Sequence, residues 1–227
     1  MKMYRVEDKF CCTVQEMYQL QQRLDTVLQV DDNENSAEGY HIISLYFDDL
    51  EDTCLKTAID GCRSRRKYRI RIYNNSLACI KLEIKEKQDN RIFKLSKYIS
   101  PEEMNSLICG QCIPSSFSMD DPAFLFNLAI QTQVLRPKVI VAYERKAYIY
   151  GPGNVRITFD RNVRTSSQTS NFGMQNLSYT PVRGQDSVLE IKYDEFMPKF
   201  ILQLLELNSL QQTAYSKYCL CRANLLL

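Results

Sequence analysis

The chain has 227 residues, of which 44% are hydrophobic and 25% charged, a composition typical of a globular protein with one large domain or two small ones. The net charge of +2 is lower than the basic excess of a protein that coats nucleic acid, so no nucleic-acid partner is expected. The sequence has no apolar run long enough to span a bilayer and no secretory signal at its N-terminus, which predicts a cytoplasmic protein without a membrane segment of its own.

The first elements predicted along the chain are a strand and a helix. Residues 4–11 read as a strand, and residues 12–29 carry apolar side chains at helical spacing, namely Met17, Leu20, Leu24, Val27 and Leu28. Thr13 and Glu16 have the spacing of a capping box, which predicts the start of the helix. An acidic loop follows at residues 30–39.

The next part of the chain predicts four strands. The apolar run at residues 40–49 is typical of a buried strand. Residues 67–73 and 78–88 predict a hairpin around the polar turn at 74–77, and residues 91–99 predict a further strand.

Two helices are predicted after this hairpin. The first lies at residues 100–110, where Ser100 is a suitable N-cap, Pro101 suits the first helical position and Glu103 completes a capping box. The second, at residues 121–135, is apolar on most sides and therefore predicts a buried helix.

The remaining elements return to strands. A hairpin is predicted from residues 138–150 to 155–166, because Gly151, Pro152 and Gly153 favour a turn between them. Two more elements, a strand and an amphipathic helix, are predicted at residues 187–195 and 198–210. The pattern after residue 210 favours no element, and no linker separates domains. The sequence therefore predicts one α+β domain over residues 1–227, dominated by antiparallel strands.

Cysteine and histidine usage limits the chemistry that can be expected. The nine cysteines are an odd number, which argues against a disulfide framework and favours free thiols. Cys109 and Cys112 form one isolated C-x-x-C, for which a metal or redox role is the alternative to buried thiols. His41 is the only histidine, so His-rich metal centres are excluded.

Charged residues occupy every second position in most of the predicted strands. Side chains alternate between the two faces of a strand, so each of these strands would carry its charges on one face. The positions are Arg5, Glu7 and Lys9; Lys67, Arg69 and Arg71; Lys81, Glu83, Lys85 and Lys87; Arg145; Arg156 and Asp160; and Glu190 and Lys192.

Two interpretations of this alternation differ in where the charges point. The first is an antiparallel sheet with one solvated face, on which charges at period two are ordinary. The second is a closed antiparallel barrel with a charged lumen and an apolar outside covered by the amphipathic helices. Buried cations need a bound anion, and arginine forks match phosphate oxygens in pairs. The carboxylates would then suit Mg²⁺ or Mn²⁺, which bind oxygen ligands and bridge phosphates. The row of cations together with such a metal predicts a polyanionic ligand that is longer than one phosphate.

Eight segments carry a family resemblance that supports the second interpretation. In chain order, YRVEDKF resembles an opening E-x-K strand, SLYFDD an S-x-Y-F-D segment, KYRIRIY a paired-arginine R-x-R strand and KLEIKEK a second E-x-K strand. Later, YERKAY resembles a Y-x-R-x-A-Y strand, VRITFDRNV an R-x-T-x-D strand, VLEIKY a metal-binding E-x-K strand and SKY a terminal basic motif. Together they resemble the triphosphate tunnel metalloenzymes, and among them the polyphosphate polymerase (VTC) domain.

The resemblance implies a fold and a set of site residues. The fold is a closed tunnel of eight antiparallel strands that binds tripolyphosphate together with a divalent cation, Mn²⁺ or Mg²⁺. Glu190 would bind the metal. The implied catalytic cations are Arg69, Arg71, Lys85, Arg145, Arg156 and Lys192. The implied substrate-binding lysines are Lys9 and Lys217, with Lys94 as an additional candidate.

By the same resemblance, the expected activity is transfer of the terminal phosphoryl group of a nucleoside triphosphate such as ATP to a growing polyphosphate chain. Hydrolysis of tripolyphosphate or nucleoside triphosphates and non-catalytic polyphosphate binding are the alternatives. The wider superfamily begins E-x-E-x-K, whereas Arg5 occupies the first acidic position here, as in the polymerase branch. The chain is expected to act as a catalytic domain alone or beside a membrane-protein partner.

Overall fold

The computed structural model describes residues 5–31, 39–89, 91–182, 187–206 and 210–225, so most of the predicted acidic loop lies outside the described residues. The strands are β1 (Val6–Cys12), β2 (Gln29–Val30), β3 (Tyr40–Asp48), β4 (Ser64–Tyr73), β5 (Ser76–Gln88), β6 (Arg91–Ile99), β7 (Arg136–Tyr150), β8 (Val155–Ser166), β9 (Thr180–Pro181), β10 (Ser187–Tyr193) and β11 (Gln211–Gln212). The helices are α1 (Val14–Asp25), α2 (Thr53–Ile59), α3 (Pro101–Ile108), α4 (Pro122–Gln133), α5 (Lys199–Leu205) and α6 (Lys217–Asn224).

The strands form one antiparallel sheet in the order β11-β1-β10-β8-β7-β3-β4-β5-β6, with β2 paired to β7 and β9 to β8. The eight long strands are those that the sequence predicts, which confirms an α+β fold with a large antiparallel sheet. β2, β9 and β11 are two-residue strands that the sequence pattern does not reveal, because so short a segment has no periodicity to recognise.

The sheet is not closed by a continuous ladder, so the predicted closed barrel is not confirmed. In the described parts of the chain, the backbone pairing between the β1 and β6 edges is one isolated antiparallel bridge from Arg5, just before β1, to Ile92 of β6, where the N···O distance is 3.4 Å. The reason lies in β11, which pairs with Phe10 and Cys11 on the edge of β1 that β6 would need. Among the described residues, the bridge to β6 is made by Arg5, just before β1.

The helix starts follow the predicted capping chemistry. Thr13 Oγ1 accepts from the Glu16 amide at 3.2 Å, and Glu16 Oε2 accepts from the Thr13 amide at 2.8 Å. Ser100 and Glu103 form the same reciprocal pair at the start of α3, which confirms both predicted capping boxes. α1 ends four residues earlier than predicted, at Asp25, because the chain must turn there for β2 to pair with β7.

The apolar side chains between the charges pack against the helices. Ile70 of β4 and Leu82 of β5 are fully buried in a core shared with α2, α3 and α4. Ile157 of β8 and Ile191 of β10 are buried in a second core beneath α1 and α5. The opposite face of these strands, which carries the charges, is therefore turned away from both cores. None of the described helices is long and apolar enough to cross a membrane.

The C-terminal helix α6, for which the sequence pattern favours no element, is fixed by polar contacts with the start of α2. Tyr218 donates to Asp48 Oδ2 at 2.6 Å, and Arg222 donates to both carboxylate oxygens of Asp52 at 3.0 and 2.8 Å. Asp48 also accepts from the amides of Cys54 and Leu55 and is fully buried. This carboxylate thus joins β3, α2 and α6.

We expect Asp48→Ala to lower the free energy of unfolding by about 3 kcal/mol, because three amides and a phenol lose their acceptor. Tyr218→Phe, which removes one of these bonds, should cost about 1 kcal/mol. Urea unfolding curves measure both changes, with Asp120→Ala on the exposed surface as the control. Equal losses for Asp48→Ala and Asp120→Ala would show that this junction does not stabilise the fold.

Candidate functional site

Three adjoining cavities follow the charged face of β4, and we refer to the three together as the channel. The central cavity is lined by Lys67, Arg69 and Arg71. A larger one of about 380 Å³ shares both arginines and extends to Tyr73, and a third shares Lys67 and extends to Arg65. With a rise of about 3.3 Å per residue, this row of side chains extends roughly 26 Å along the strand.

All ten site residues predicted from the sequence line the channel. The central cavity is lined by Lys9, Arg69, Arg71, Lys85, Arg145, Glu190, Lys192 and Lys217. The larger cavity adds Lys94 and Arg156. The structure thus brings together residues from β1, β4, β5, β6, β7, β8, β10 and α6, whose individual roles remain predictions.

The charged strand faces are not a solvated surface. Arg71 and Arg145 are 7% and 6% exposed, and both are held in the channel by hydrogen bonds to side chains. The first interpretation of the alternation, a sheet with its charges in open water, is therefore wrong. Lys67, to which the resemblance gives no role, also lines the channel, where it donates to Ser216 Oγ at 2.8 Å.

Glu83 is fully buried behind Arg69 and Arg71 of β4. The strand register places it opposite Arg69, whose Nε donates to Glu83 Oε2 at 2.6 Å, and Arg71 Nε lies 3.8 Å from the same oxygen. Lys94 of β6 contacts Oε1. Burial alone would raise the pKa of Glu83, but these cations hold that pKa well below its usual value. The carboxylate therefore stays charged and fixes the arginine forks.

Asp160 has the same relation to Arg145. The two residues are paired in register on β8 and β7, and Arg145 Nε and Nη2 donate to the two carboxylate oxygens at 2.6 and 2.7 Å. Lys217, at the start of α6, lies 2.5 Å from Oδ2. Although burial opposes ionisation, Arg145 and Lys217 lower the pKa of Asp160 to about 2. This pair couples the C-terminal helix to the central cavity.

Glu7 and Glu190 lie on adjacent strands and face the channel. Lys85 donates to both oxygens of Glu7 at 2.8 Å, and Lys192 lies 2.8 Å from Glu190 Oε1. Burial and the neighbouring Glu190 both oppose ionisation of Glu7, yet the surrounding lysines lower its pKa to about 2. The pKa of Glu190 is likewise held well below its usual value by Lys192, Lys9 and Lys85, against the effect of burial. Both are anionic at neutral pH.

Tyrosine hydroxyls complete the positioning of the arginines. Tyr46 accepts from Arg69 Nη1 at 2.9 Å, and Tyr143 accepts from Arg71 Nη2 at 3.3 Å. Tyr40 accepts from Arg156 Nη2 at 3.0 Å. A neutral acceptor orients a guanidinium without cancelling its charge, so the forks remain available to an anion.

Sequence reasoning assigned no role to Glu7, Glu83, Asp160 or these tyrosines. The three acids do belong to the alternation, which places each on the same strand face as a predicted cation. What the sequence lacks is the register, which decides which cation each acid meets across the strands.

Among the residues that the structure describes, cations outnumber carboxylates around the channel. The lining side chains include Arg5, Lys67 and Lys81 in addition to the predicted cations, whereas Glu7 and Glu190 are the acids that line the same two cavities. Buried positive charge in excess of its partners is costly unless an anion neutralises it. The electrostatics of the channel therefore favour an extended polyanion.

A divalent cation fits this donor set only together with a bound anion. Among the described residues, no group of three or more His, Cys, Asp or Glu side chains is placed to hold a metal. Glu190 and Glu7 supply carboxylate oxygens, which are the ligands that Mg²⁺ and Mn²⁺ prefer, and Mg²⁺ is commonly held by one or two carboxylates plus phosphate oxygens. The residues present fit a metal shared with phosphate rather than an all-protein cage.

Two solved structures share this fold. Proposed adenylate cyclases from Bacillus halodurans and Vibrio parahaemolyticus align with TM-scores of 0.56 and 0.54, at 14% and 11% sequence identity. The first alignment covers 95% of each chain, and the second covers 97% of this chain and 98% of the other. At such identities the likeness concerns the fold alone. No curated protein sequence matches the chain.

The family itself is shown by the sequence. The family model of the VTC domain matches residues 4–226, which is nearly the whole chain. The chain therefore belongs to the VTC domain family, as the eight motif segments predict.

Three channel lysines should make anion binding depend on pH. Burial lowers the pKa of Lys67 to about 8, and burial, partly opposed by Glu83 for Lys94 and by Glu7 for Lys85, lowers the pKa of each of these two lysines to about 8 as well. An anion stabilises the protonated lysines, so it raises their pKa values, and the protein takes up protons when the anion binds near pH 8. We expect the affinity for inorganic tripolyphosphate, measured by calorimetry, to fall about tenfold or more between pH 7 and pH 9.

The double variant Lys67→Met/Lys94→Met separates this effect from the titration of tripolyphosphate itself. It should bind more weakly at pH 7, and its affinity should fall less steeply towards pH 9. Parallel pH profiles for the two proteins would mean that these lysines do not titrate with binding.

Proposed function

We propose that this chain is a metal-dependent polyphosphate polymerase, which transfers the terminal phosphoryl group of a nucleoside triphosphate to a polyphosphate chain. The observation that carries this proposal is the length of the channel. Beyond Arg69 and Arg71, the row of cations along the channel continues through Lys67 to Arg65 and Lys87. A triphosphate needs only part of such a row, whereas a growing chain could use all of it.

The chain's own residues would act mainly by positioning. Arg69 and Arg71, fixed by Glu83 and by tyrosine hydroxyls, would bind phosphate oxygens from one wall of the channel. Arg145, fixed by Asp160, would bind them from another wall. Because these forks are already oriented before the substrate enters, little reorganisation is needed as charge moves in the transition state.

In the proposed transfer, a terminal oxygen of the polyphosphate chain bonds to the terminal phosphorus of the donor. The bridging bond to the next phosphate breaks, and the nucleoside diphosphate leaves with its electron pair. A divalent cation held by Glu190 and phosphate oxygens would neutralise charge on the transferring group. The acceptor oxygen is already anionic, so the mechanism requires no catalytic histidine or serine.

The central test is a length assay on the products formed from ATP and Mn²⁺. Long polyphosphate chains, resolved on a gel, are the expected result. Release of inorganic phosphate without chains would instead identify a hydrolase, in which water replaces the chain end as acceptor. If neither product forms while polyphosphate binds, the chain is a binding domain, and both catalytic proposals fail.

Variants test the roles of the channel residues in this assay. We expect Arg69→Gln and Arg71→Gln each to lower kcat/KM by about a hundredfold or more, because each removes a fork that holds transition-state charge. Arg66→Gln is the matched control, since Arg66 lies on the same strand but is exposed and pairs with Glu86. Comparable losses in all three variants would show that the channel face is not the active face.

Glu190→Gln separates catalysis from binding. This change keeps the shape of the side chain but removes the carboxylate charge that the metal requires. We expect turnover to be lost while calorimetry still detects polyphosphate binding. Activity close to that of the unaltered protein would remove Glu190 from the proposed metal site.

A further inference from the structure

A separate cavity of about 280 Å³ lies on the opposite face of the strands that form the channel wall. On β3 the channel is lined by Tyr40 and Tyr46, whereas this outer cavity is lined by His41 and Ile43. The alternation of side chains along the strand places the two sets on opposite faces. Nothing in the proposed phosphoryl transfer uses the outer cavity.

The floor of the outer cavity is a row of side chains in register across three strands. Ile43 of β3 pairs with Ala142 of β7, which pairs in turn with Arg164 of β8. Arg164 lies beyond a break in the β7–β8 register, where Asn162 has a φ of 53°. A bulge of this kind changes which face the following residues occupy, and here it brings Arg164 to the outer cavity.

One wall of the outer cavity is mainly apolar and consists of Met174, Leu177 and Tyr179, all from the segment between β8 and β9. The polar residues that complete the lining are His41, Asn74, Asn75 and Gln175. The guanidinium of Arg164 lies 5.6 Å from the centre of the Tyr179 ring. An arginine stacked on an aromatic ring is held in place while its edge stays open to another partner.

Arg164 has no such partner within the described residues. Its Nε is buried and makes no hydrogen bond, and no carboxylate of the described chain forms an ion pair with it. The buried arginines of the channel differ, since Arg145 and Arg69 each meet a carboxylate. Arg164 thus lines the outer cavity without an acceptor of its own, and the geometry points to an acceptor that occupies this cavity.

We infer that the outer cavity binds a small molecule that has an anionic oxygen group for Arg164 and a compact apolar body for the wall of Met174, Leu177 and Tyr179. Waters in the cavity would contact its apolar wall, so a ligand whose apolar body displaces them from that wall gains the favourable burial of apolar surface. The oxygen group is a carboxylate or a phosphate, since both match the guanidinium fork. This inference does not depend on the proposed polymerase activity.

The test uses benzoate and phenyl phosphate as probes, with neutral benzamide as the matched comparison. Saturating tripolyphosphate is present throughout to occupy the channel, and probe affinity is measured by ligand-observed NMR titration. Saturable binding of either anion, with benzamide much weaker, is expected. A preference for benzoate or for phenyl phosphate distinguishes a carboxylate ligand from a phosphate ligand.

Variants locate the probe. Arg164→Met should weaken the bound anion about tenfold or more, because it removes the charged donor and keeps an unbranched apolar stem. Met174→Glu alters an exposed lining residue, so folding is preserved while its carboxylate competes for Arg164 and weakens the probe as well. The control is Arg63→Met, whose side chain is 91% exposed and distant from the cavity lining. Absence of saturable binding, equal binding of benzamide, or unchanged affinity in both lining variants would overturn the inference.

Discussion

Cations buried in a row on one strand repel one another, and the fold is organised around relieving that repulsion. Arg69 and Arg71 point into the channel from β4, and neither could stay there without acids on the neighbouring strands. Glu83 neutralises part of this charge and is itself kept ionised by it. The same exchange joins Arg145 to Asp160 and Lys192 to Glu190. The channel is thus a network in which each charge fixes the geometry of another, with a positive excess left for a ligand.

The apolar half of the alternation has an equally specific consequence. Ile70 and Leu82 are fully buried on the opposite face, beneath the helices. A one-residue change in the pairing of β4 would place them in the channel and drive its arginines into the core. The hydrophobic cores and the charged channel therefore specify the same register. A different register would therefore be unfavourable on both faces of the sheet at once, and this keeps the buried charges in the channel.

The strands and their charged faces could be predicted from the sequence, because period-two alternation is a local property. The register could not. A hairpin closed around the predicted turn at residues 74–77 would place Arg69 opposite Leu82. In the structure a two-residue turn at Asn74 and Asn75, followed by a register shift between Arg71 and Tyr73, places Arg69 opposite Glu83 instead. The helix α6 escaped prediction for a similar reason, since its position depends on the distant Asp48 and Asp52.

Along the open edge of the sheet, the channel wall is held together mainly by side chains rather than by paired strands. In the described part of the chain, one backbone bridge, from Arg5 to Ile92, links the edges of β1 and β6, because β11 occupies part of the edge of β1. Beside this seam, an ion pair joins Glu7 of β1 to Lys85 of β5, the strand that pairs with β6. Lys85 also lines the central cavity, so an anion bound there competes with Glu7 for the same ammonium group. Backbone hydrogen bonds between strands depend little on the charge of a ligand, whereas the strength of an ion pair does. An anion in the channel would therefore alter the contact between Glu7 of β1 and Lys85 of β5.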